Sequence, residues 1–419
     1  MSLAKASIWT ASSTLVKIIA GLVVIKLLAV SFGPEGVGQA GNYRQLLTVL
    51  GVLAGAGIFN GITKFVSEHQ QDPQRLQQVT GTAATIVLIS SLAVALVFLL
   101  AAAPISHALF GHERYQNVIR GVAFLQMGIA WANLTLAVLK GYRDARGNAL
   151  SVIGGSLIGV AAYTLCYFAG GYAGALIGLA LVPALTLLPA VWLLARREGF
   201  TLKWFKPRWQ PEFARSLSKY TLMALMTAVT LPVAWMMMRN LLAVQYSWQQ
   251  VGLWQAVTTI SDAYLQFITA TFSVWLLPTL ARLQHTADIR REMFKAFRFV
   301  MPAVIAVSFS VWLLRDVAIW LLFSDAFHGM RDLFVWQLTG DVLKVGCYVF
   351  GYLIIAKAAL RLYLLTEISQ FVLLTGFSRW LIPAQGAEGA AQAYMMTYMV
   401  WFILCCLGFI IYLRRATHA

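Results

Sequence analysis

Apolar positions along this chain come in long blocks rather than in alternation. Twelve blocks, at roughly 7–31, 41–64, 80–103, 116–139, 149–169, 173–195, 219–243, 251–278, 298–318, 332–356, 361–382 and 388–413, are separated by short polar connections. A helix rises about 1.5 Å per residue, so each block reaches across most or all of a hydrocarbon layer about 30 Å thick. Lone strands are excluded as crossings, because lipid leaves their backbone groups unsatisfied. The pattern predicts an all-α polytopic membrane protein with twelve transmembrane helices.

Composition agrees. Hydrophobic residues make up 60% of the chain, charged residues 11%, and the mean hydropathy is +0.73. Soluble domains carry roughly 25% charged residues. Cys166, Cys347, Cys405 and Cys406 all lie inside apolar blocks and read as small buried hydrophobes, with no zinc-like spacing. The six histidines fall outside the blocks.

The formal charge of +16 sits in the connections, on alternate sides. One set holds Lys140/Arg143/Arg146, then Arg196 to Arg215, then Arg282/Arg290/Arg291/Lys295, then Lys357/Arg361 and the tail Arg414/Arg415; the other set is nearly bare. Basic connections stay in the cytoplasm, which places both termini there. The charge is thus topology and contact with membrane lipids, not a nucleic-acid surface.

A phrase repeats halfway along. Leu27 to Gly38 reads LLAVSFGPEGVG, and Leu241 to Gly252 reads LLAVQYSWQQVG, an offset of 214 with half the positions identical. SLAK at Ser2 and SLSK at Ser216 share that offset, so the first block has a counterpart and reads as a span rather than a removable leader. LFGHERY at Leu109 and LFSDAFH at Leu322 continue the echo, followed by Gln126 and Gln337. Each half has six spans, an even number, so the halves cross in the same sense as parallel repeats. The expected organisation is an N-lobe (1–197), a cytoplasmic linker (198–218) and a C-lobe (219–419) around a central cavity. Such a pair of lobes is the architecture of alternating-access transport.

Charges inside spans are expensive and usually face a cavity or a partner. Lys17 lies about ten residues into its span, about 15 Å deep, and is the basic group least able to reach an interface. Lys26, Arg44, Lys64 and Arg239 are near span ends, where snorkelling competes with a cavity role. Asp341 and Lys344, at i,i+3, either neutralise each other or face a cavity. Asp262 and Glu367 join them as candidates. Six basic groups against three acidic ones describe a cationic cavity suited to an anionic headgroup such as a pyrophosphate. Asp262, Asp341 and Glu367 are candidates for coupling or for charge balance. The glycines of GAGIFNG (Gly55 to Gly61) lack the spacing of a nucleotide loop and read as close helix packing. No cofactor or metal site is expected. Trp131, Trp254 and Trp275 have two readings, stacking on sugars or packing and anchoring.

Several stretches carry a resemblance: GPEGVGQAGNYRQLLTVLGVLAGAGIFNGITKFV (Gly33 to Val66), KGYRDARGNALS (Lys140 to Ser151), TISDAYLQFITA (Thr259 to Ala270) and RDLFVWQLTGDVLKVGCYVFGYLIIAKA (Arg331 to Ala358). Over essentially its whole length the chain resembles the Wzx-type flippases of enterobacterial common antigen, in the polysaccharide-transporter branch of the multidrug/oligosaccharidyl-lipid/polysaccharide exporter superfamily. The resemblance implies a transporter rather than an enzyme. It implies a lipid-linked oligosaccharide substrate, undecaprenyl-pyrophosphate carrying a three-sugar unit with a uronic acid. That substrate would move from the cytoplasmic to the periplasmic leaflet of the bacterial inner membrane. Related flippases place basic first-lobe residues around the cavity, an idea carried here to Lys17, Lys26 and Arg44 by position. A polysaccharide polymerase and a chain-length regulator are the partners it suggests.

Two rivals stand beside this reading. A cation-coupled drug antiporter of the same fold would want an acidic interior. A membrane glycosyltransferase or polymerase would want large outer loops, and the outer connections here are short.

Overall fold

The computed structural model describes residues 3–283, 285–357 and 359–417. Ser2 of the repeated SLAK phrase, Ala358 and the side chains of Arg414 and Arg415 lie outside the described residues. Helix is the only regular structure among the described residues. Among the described residues, eight helices are long and apolar enough to cross a membrane. The chain is therefore a multi-pass membrane protein.

The described chain divides into two compact units. The first takes the residues up to Val24 and Ala40–Pro232; the second takes Ile25–Gln39 and everything from Val233 onward. The cuts fall inside helices, in α1 (Leu3–Leu53) and α8 (Pro211–Gln245). Ile25–Gln39 of α1 therefore packs with the second unit.

The first unit holds most of α1, then α2 (Phe59–Glu68), α3 (Pro73–Leu100), α4 (Ala102–Phe110), α5 (Gln116–Gly141), α6 (Ala145–Leu185), α7 (Leu187–Ala195) and the first part of α8. Its core joins Ile58, at the cap of α2, and Ile62 and Val66 of α2 to Val79, Ala83 and Val87 of α3 and Leu134 and Val138 of α5. Asp72 starts α3 by accepting from the Gln74 and Arg75 amides, and Asp144 starts α6 by accepting from Gly147 N. These caps satisfy N–H groups that have no partner in the first turn. Asp144 also pairs with Arg197 at 3.2 Å, and the Arg197 guanidinium lies 4.3 Å from the Tyr142 ring centroid. Burial pushes the Tyr142 phenol up, and Arg197 partly offsets that. The segment between α7 and α8 is docked rather than loose. Thr80 donates to Trp204 O, Thr85 donates to Arg208 O, and Phe200 enters the core beside Phe213 and Leu217 from the start of α8.

The second unit adds α9 (Trp248–Thr271), a π-helical turn (Phe272–Leu276), α10 (Leu277–Arg282), α11 (Thr286–Leu313), α12 (Arg315–Leu322), α13 (Leu333–Ala356) and α14 (Leu360–Thr417). Its core runs from Leu265, Phe272 and Leu280 through Met293 and Val304 to Val345, Val349 and Leu353.

Three long helices are each interrupted by one glycine at positive φ: Gly33 in α1 (61°), Gly171 in α6 (55°) and Gly386 in α14 (58°). These glycines fall between the apolar blocks expected from sequence. At Gly171 the chain doubles back. A Cβ on Gly178 would lie 2.8 Å from Tyr163 Cα, and one on Gly159 would lie 2.8 Å from Val182 Cα. Small residues thus let the two arms approach at backbone distance. The Gly386 break is held from the other side: Tyr246 donates to Pro383 O at 3.1 Å, and Ala387 N donates to Gln250 Oε1 at 3.2 Å.

Candidate functional site

The charged residues of the first unit are spread along it. Lys17 is exposed, and the like charge of Lys140 acts on it within Coulombic range. Arg44, half-buried one turn into the second apolar block, acts electrostatically on the buried Tyr163 of α6. Lys64 is more than half exposed and pairs with Glu68 at 3.8 Å, one turn on. That geometry is a solvent-screened surface pair of small worth.

Lys26 has a more specific environment. Its Nζ donates to Phe323 O at 2.6 Å and to Trp320 O at 3.3 Å, both inside the second unit. These carbonyls close α12, where the last C=O groups have no helical partner and the dipole favours a cation. Lys26 therefore fastens the Ile25–Gln39 segment to the end of α12. In the first unit the matching short helix α4 is closed by Asn42, whose Nδ2 donates to Leu109 O at 3.2 Å.

The second unit gathers its charges into one polar cluster. Asp341, fully buried on α13, accepts hydrogen bonds from Tyr394 at 2.6 Å and from Tyr264. Lys344, one turn on, lies 5.3 Å from the ring centroids of both Tyr394 and Tyr398 and 5.9 Å from that of Tyr348. Those are cation–π distances. Asp262 of α9 adds a second carboxylate acting on Lys344. Asp341 and Lys344 feel each other across the cluster, while Asp341 accepts from two tyrosine hydroxyls with Ser261 close by.

An aromatic ladder runs on from Tyr394. Its ring lies 5.6 Å from Trp235, which stacks at 5.6 Å on the buried Trp254. The Arg239 guanidinium lies 5.7 Å from the Trp254 ring, and its Nε donates to Gln255 Oε1 at 2.8 Å. Arg239, Lys344, Asp262 and Asp341 thus belong to one continuous network in the second unit. Glu367 sits elsewhere, on α14, 7% exposed, with Tyr363 as its hydrogen-bonding neighbour. Trp254 is a rung of this ladder, while Trp275 lies 36% exposed within the π-helical turn.

Sequence reasoning named the charges of this network but not the tyrosines. Tyr348 and Tyr398 stand at i+4 from Lys344 and Tyr394, and Tyr264 at i+2 from Asp262. That spacing on apolar spans is the signal that was there to read. Chemically, the network presents donors, cations and ring faces. It lacks a nucleophile–base pair, and no cluster of three metal-binding side chains occurs among the described residues.

Long glycine-broken apolar helices, with charges buried among aromatics in the second unit, are those of a multi-pass helical membrane protein. The fold matches a multidrug resistance MATE family transporter of the MOP superfamily, solved in its inward-facing conformation, with a TM-score of 0.83 at 15% identity over 97% of this chain and 96% of that one. The family model described as polysaccharide biosynthesis protein matches residues 3–284, and the chain belongs to that family. It is 65% identical over 416 residues, 99% of its length and 100% of theirs, to the lipid III flippases of Escherichia coli (strain K12) and Shigella flexneri.

Proposed function

We infer that this chain is a lipid III flippase. It would carry an isoprenoid-diphosphate-linked trisaccharide from the cytoplasmic to the periplasmic leaflet by alternating access. The observation that carries the reading is the 65% identity, end to end, with two proteins of that name. The basic excess inside the spans supports it independently, since a diphosphate and a uronic acid make a polyanionic headgroup. The cation-exporter reading draws on fold alone.

The topology we propose has twelve crossings: the eight long apolar helices, with those broken at Gly33, Gly171 and Gly386 each counting twice, and α9 as the remaining one. The basic connections lie on the cytoplasmic side with both termini, in the inner membrane. Residues 1–197 and 219–419 act as the two transport halves, joined through 198–218. Lys17, Arg44 and the Arg239–Lys344 network are the headgroup contacts in this account. Asp262, Asp341 and Glu367 balance them or couple transport to an ion. Lys64, near the inner end of its span, is an outlying contact at the cytoplasmic entrance. Lys26 serves by holding α12 in place. A polymerase with its chain-length regulator would consume the product.

The test is complementation. Expressed in an Escherichia coli strain deleted for its own lipid III flippase, the chain restores the surface glycan. Accumulation of the lipid-linked trisaccharide at the cytoplasmic face, with normal membrane insertion of the chain, would refute the reading.

A further inference from the structure

Away from the polar network, the second unit carries an apolar groove of about 460 Å³ between the end of α9 with its π-helical turn and one face of α11. Ile268, Phe272, Trp275, Phe299, Ala303 and Val307 shape it. The groove follows α11 from Lys295 to Val307, twelve residues or about 18 Å, more than half the depth of a hydrocarbon layer about 30 Å thick. Its side is open: Phe299 is 78% exposed and Ala303 and Val307 are exposed. A π-helical turn, a feature frequent at functional sites, forms part of one wall.

The two ends of the groove differ. Its apolar end lies among Ala303, Val304 and Val307, whereas Lys295 lines the other. Arg291, Lys295 and Arg298 are exposed and follow i, i+4 and i+7, so they form one cationic edge of α11. Glu292 approaches Lys295 at 3.8 Å and offsets only part of that charge. A hydrocarbon slot crowned by three cations is complementary to an amphiphile with a long chain and a strongly anionic first headgroup unit.

We propose that this groove seats the isoprenoid chain of the diphosphate-linked substrate, with Arg291, Lys295 and Arg298 meeting the diphosphate at the cytoplasmic interface. The assignment rests on the flippase reading and deepens it. The chain stays outside the polar network, in contact with lipid, while the sugar headgroup is handled separately. Three cations on one edge favour a diphosphate over the single phosphate of an ordinary phospholipid, which fixes the occupant.

The full chain, reconstituted in phosphatidylcholine vesicles, is exposed to a long isoprenoid diphosphate bearing a diazirine at the far end of its chain, and the adducts are mapped. Adducts are expected on Trp275 and on 303–307. Ala303→Trp and, separately, Val307→Trp should lower labelling by about tenfold while the variants elute as monodisperse protein and melt like the parent. Neutralising Arg291, Lys295 and Arg298 together should lower it several-fold. Adducts elsewhere, or labelling chased equally by phosphatidylglycerol, would overturn the proposal. In the same vesicles, translocation of a lipid-linked trisaccharide by the unmodified chain is measured in parallel. Translocation without groove labelling overturns the groove alone, and groove labelling without translocation overturns the flippase reading alone.

Discussion

Gly38 and Gly252 touch where the two copies of the repeated phrase meet. A Cβ on Gly38 would lie 2.8 Å from the Gly252 backbone nitrogen and 2.6 Å from Trp248 O, and one on Gly252 would strike Pro34 O. Position 34 corresponds to 248 and position 38 to 252 at the offset of 214, so the contact is reciprocal. Each copy presents the same patch to the other, as in an isologous interface. The two glycines shared by the phrases are shared because neither site has room for a side chain.

Gly252→Ala should therefore force the two helix ends apart and cost about 1–3 kcal/mol, the range for overpacking. Gly21→Ala, with nothing within 4 Å of the added carbon, should be neutral or stabilising because alanine is the better helix former. Thermal unfolding of the purified variants in detergent reads the difference. Equal melting temperatures would remove the close-contact explanation.

Lys26 separates a structural from a substrate role. Lys26→Met removes two hydrogen bonds from a charged donor, each worth about 1.5–3 kcal/mol, and leaves Phe323 O and Trp320 O without it. Melting should fall, and Lys26→Arg should restore part of it. Binding of the lipid-linked trisaccharide, measured on the fraction that remains folded, should hardly change. A binding defect at full stability would return Lys26 to the headgroup contacts.

The glycine breaks make a backbone prediction. Gly171 sits at φ 55°, ψ −133° with nothing near its would-be Cβ, so Gly171→Ala is opposed by backbone strain alone, about 1–3 kcal/mol. Gly170→Ala, also in open space but at ordinary helical φ, is the control. A loss at 170 matching that at 171 would contradict the account.

The buried cluster predicts graded effects. Asp341→Ala leaves Tyr264, Tyr394 and Lys344 without their shared anion, and removal of one member of a buried charge pair costs about 3–5 kcal/mol. Asp341→Asn keeps the shape and an acceptor, so it should fold. Its translocation rate should nonetheless drop by about tenfold. An Asn variant with parental translocation would leave Asp341 a purely structural anchor.

Long apolar blocks gave the helices, because run length is a local property of the chain. The 198–218 stretch read as a linker because prolines and charges punctuate it. Its docking on α3 depends on Thr80 and Thr85, more than 120 residues earlier. Lys26 likewise finds its carbonyls 294 and 297 residues away, a pairing no window of sequence displays. The spacing of the tyrosines from Asp262 and Lys344 is readable in the sequence, but their convergence on Asp341 is not, because it arises only when α9, α13 and α14 pack side by side.

The most direct test of the central claim reconstitutes the full chain in liposomes with an isoprenoid-diphosphate trisaccharide in one leaflet and follows its arrival in the other. The account predicts time-dependent translocation that Lys17→Ala slows, with that variant folded. Extrusion of a cationic dye by the same vesicles, with the lipid-linked trisaccharide left where it began, would contradict it.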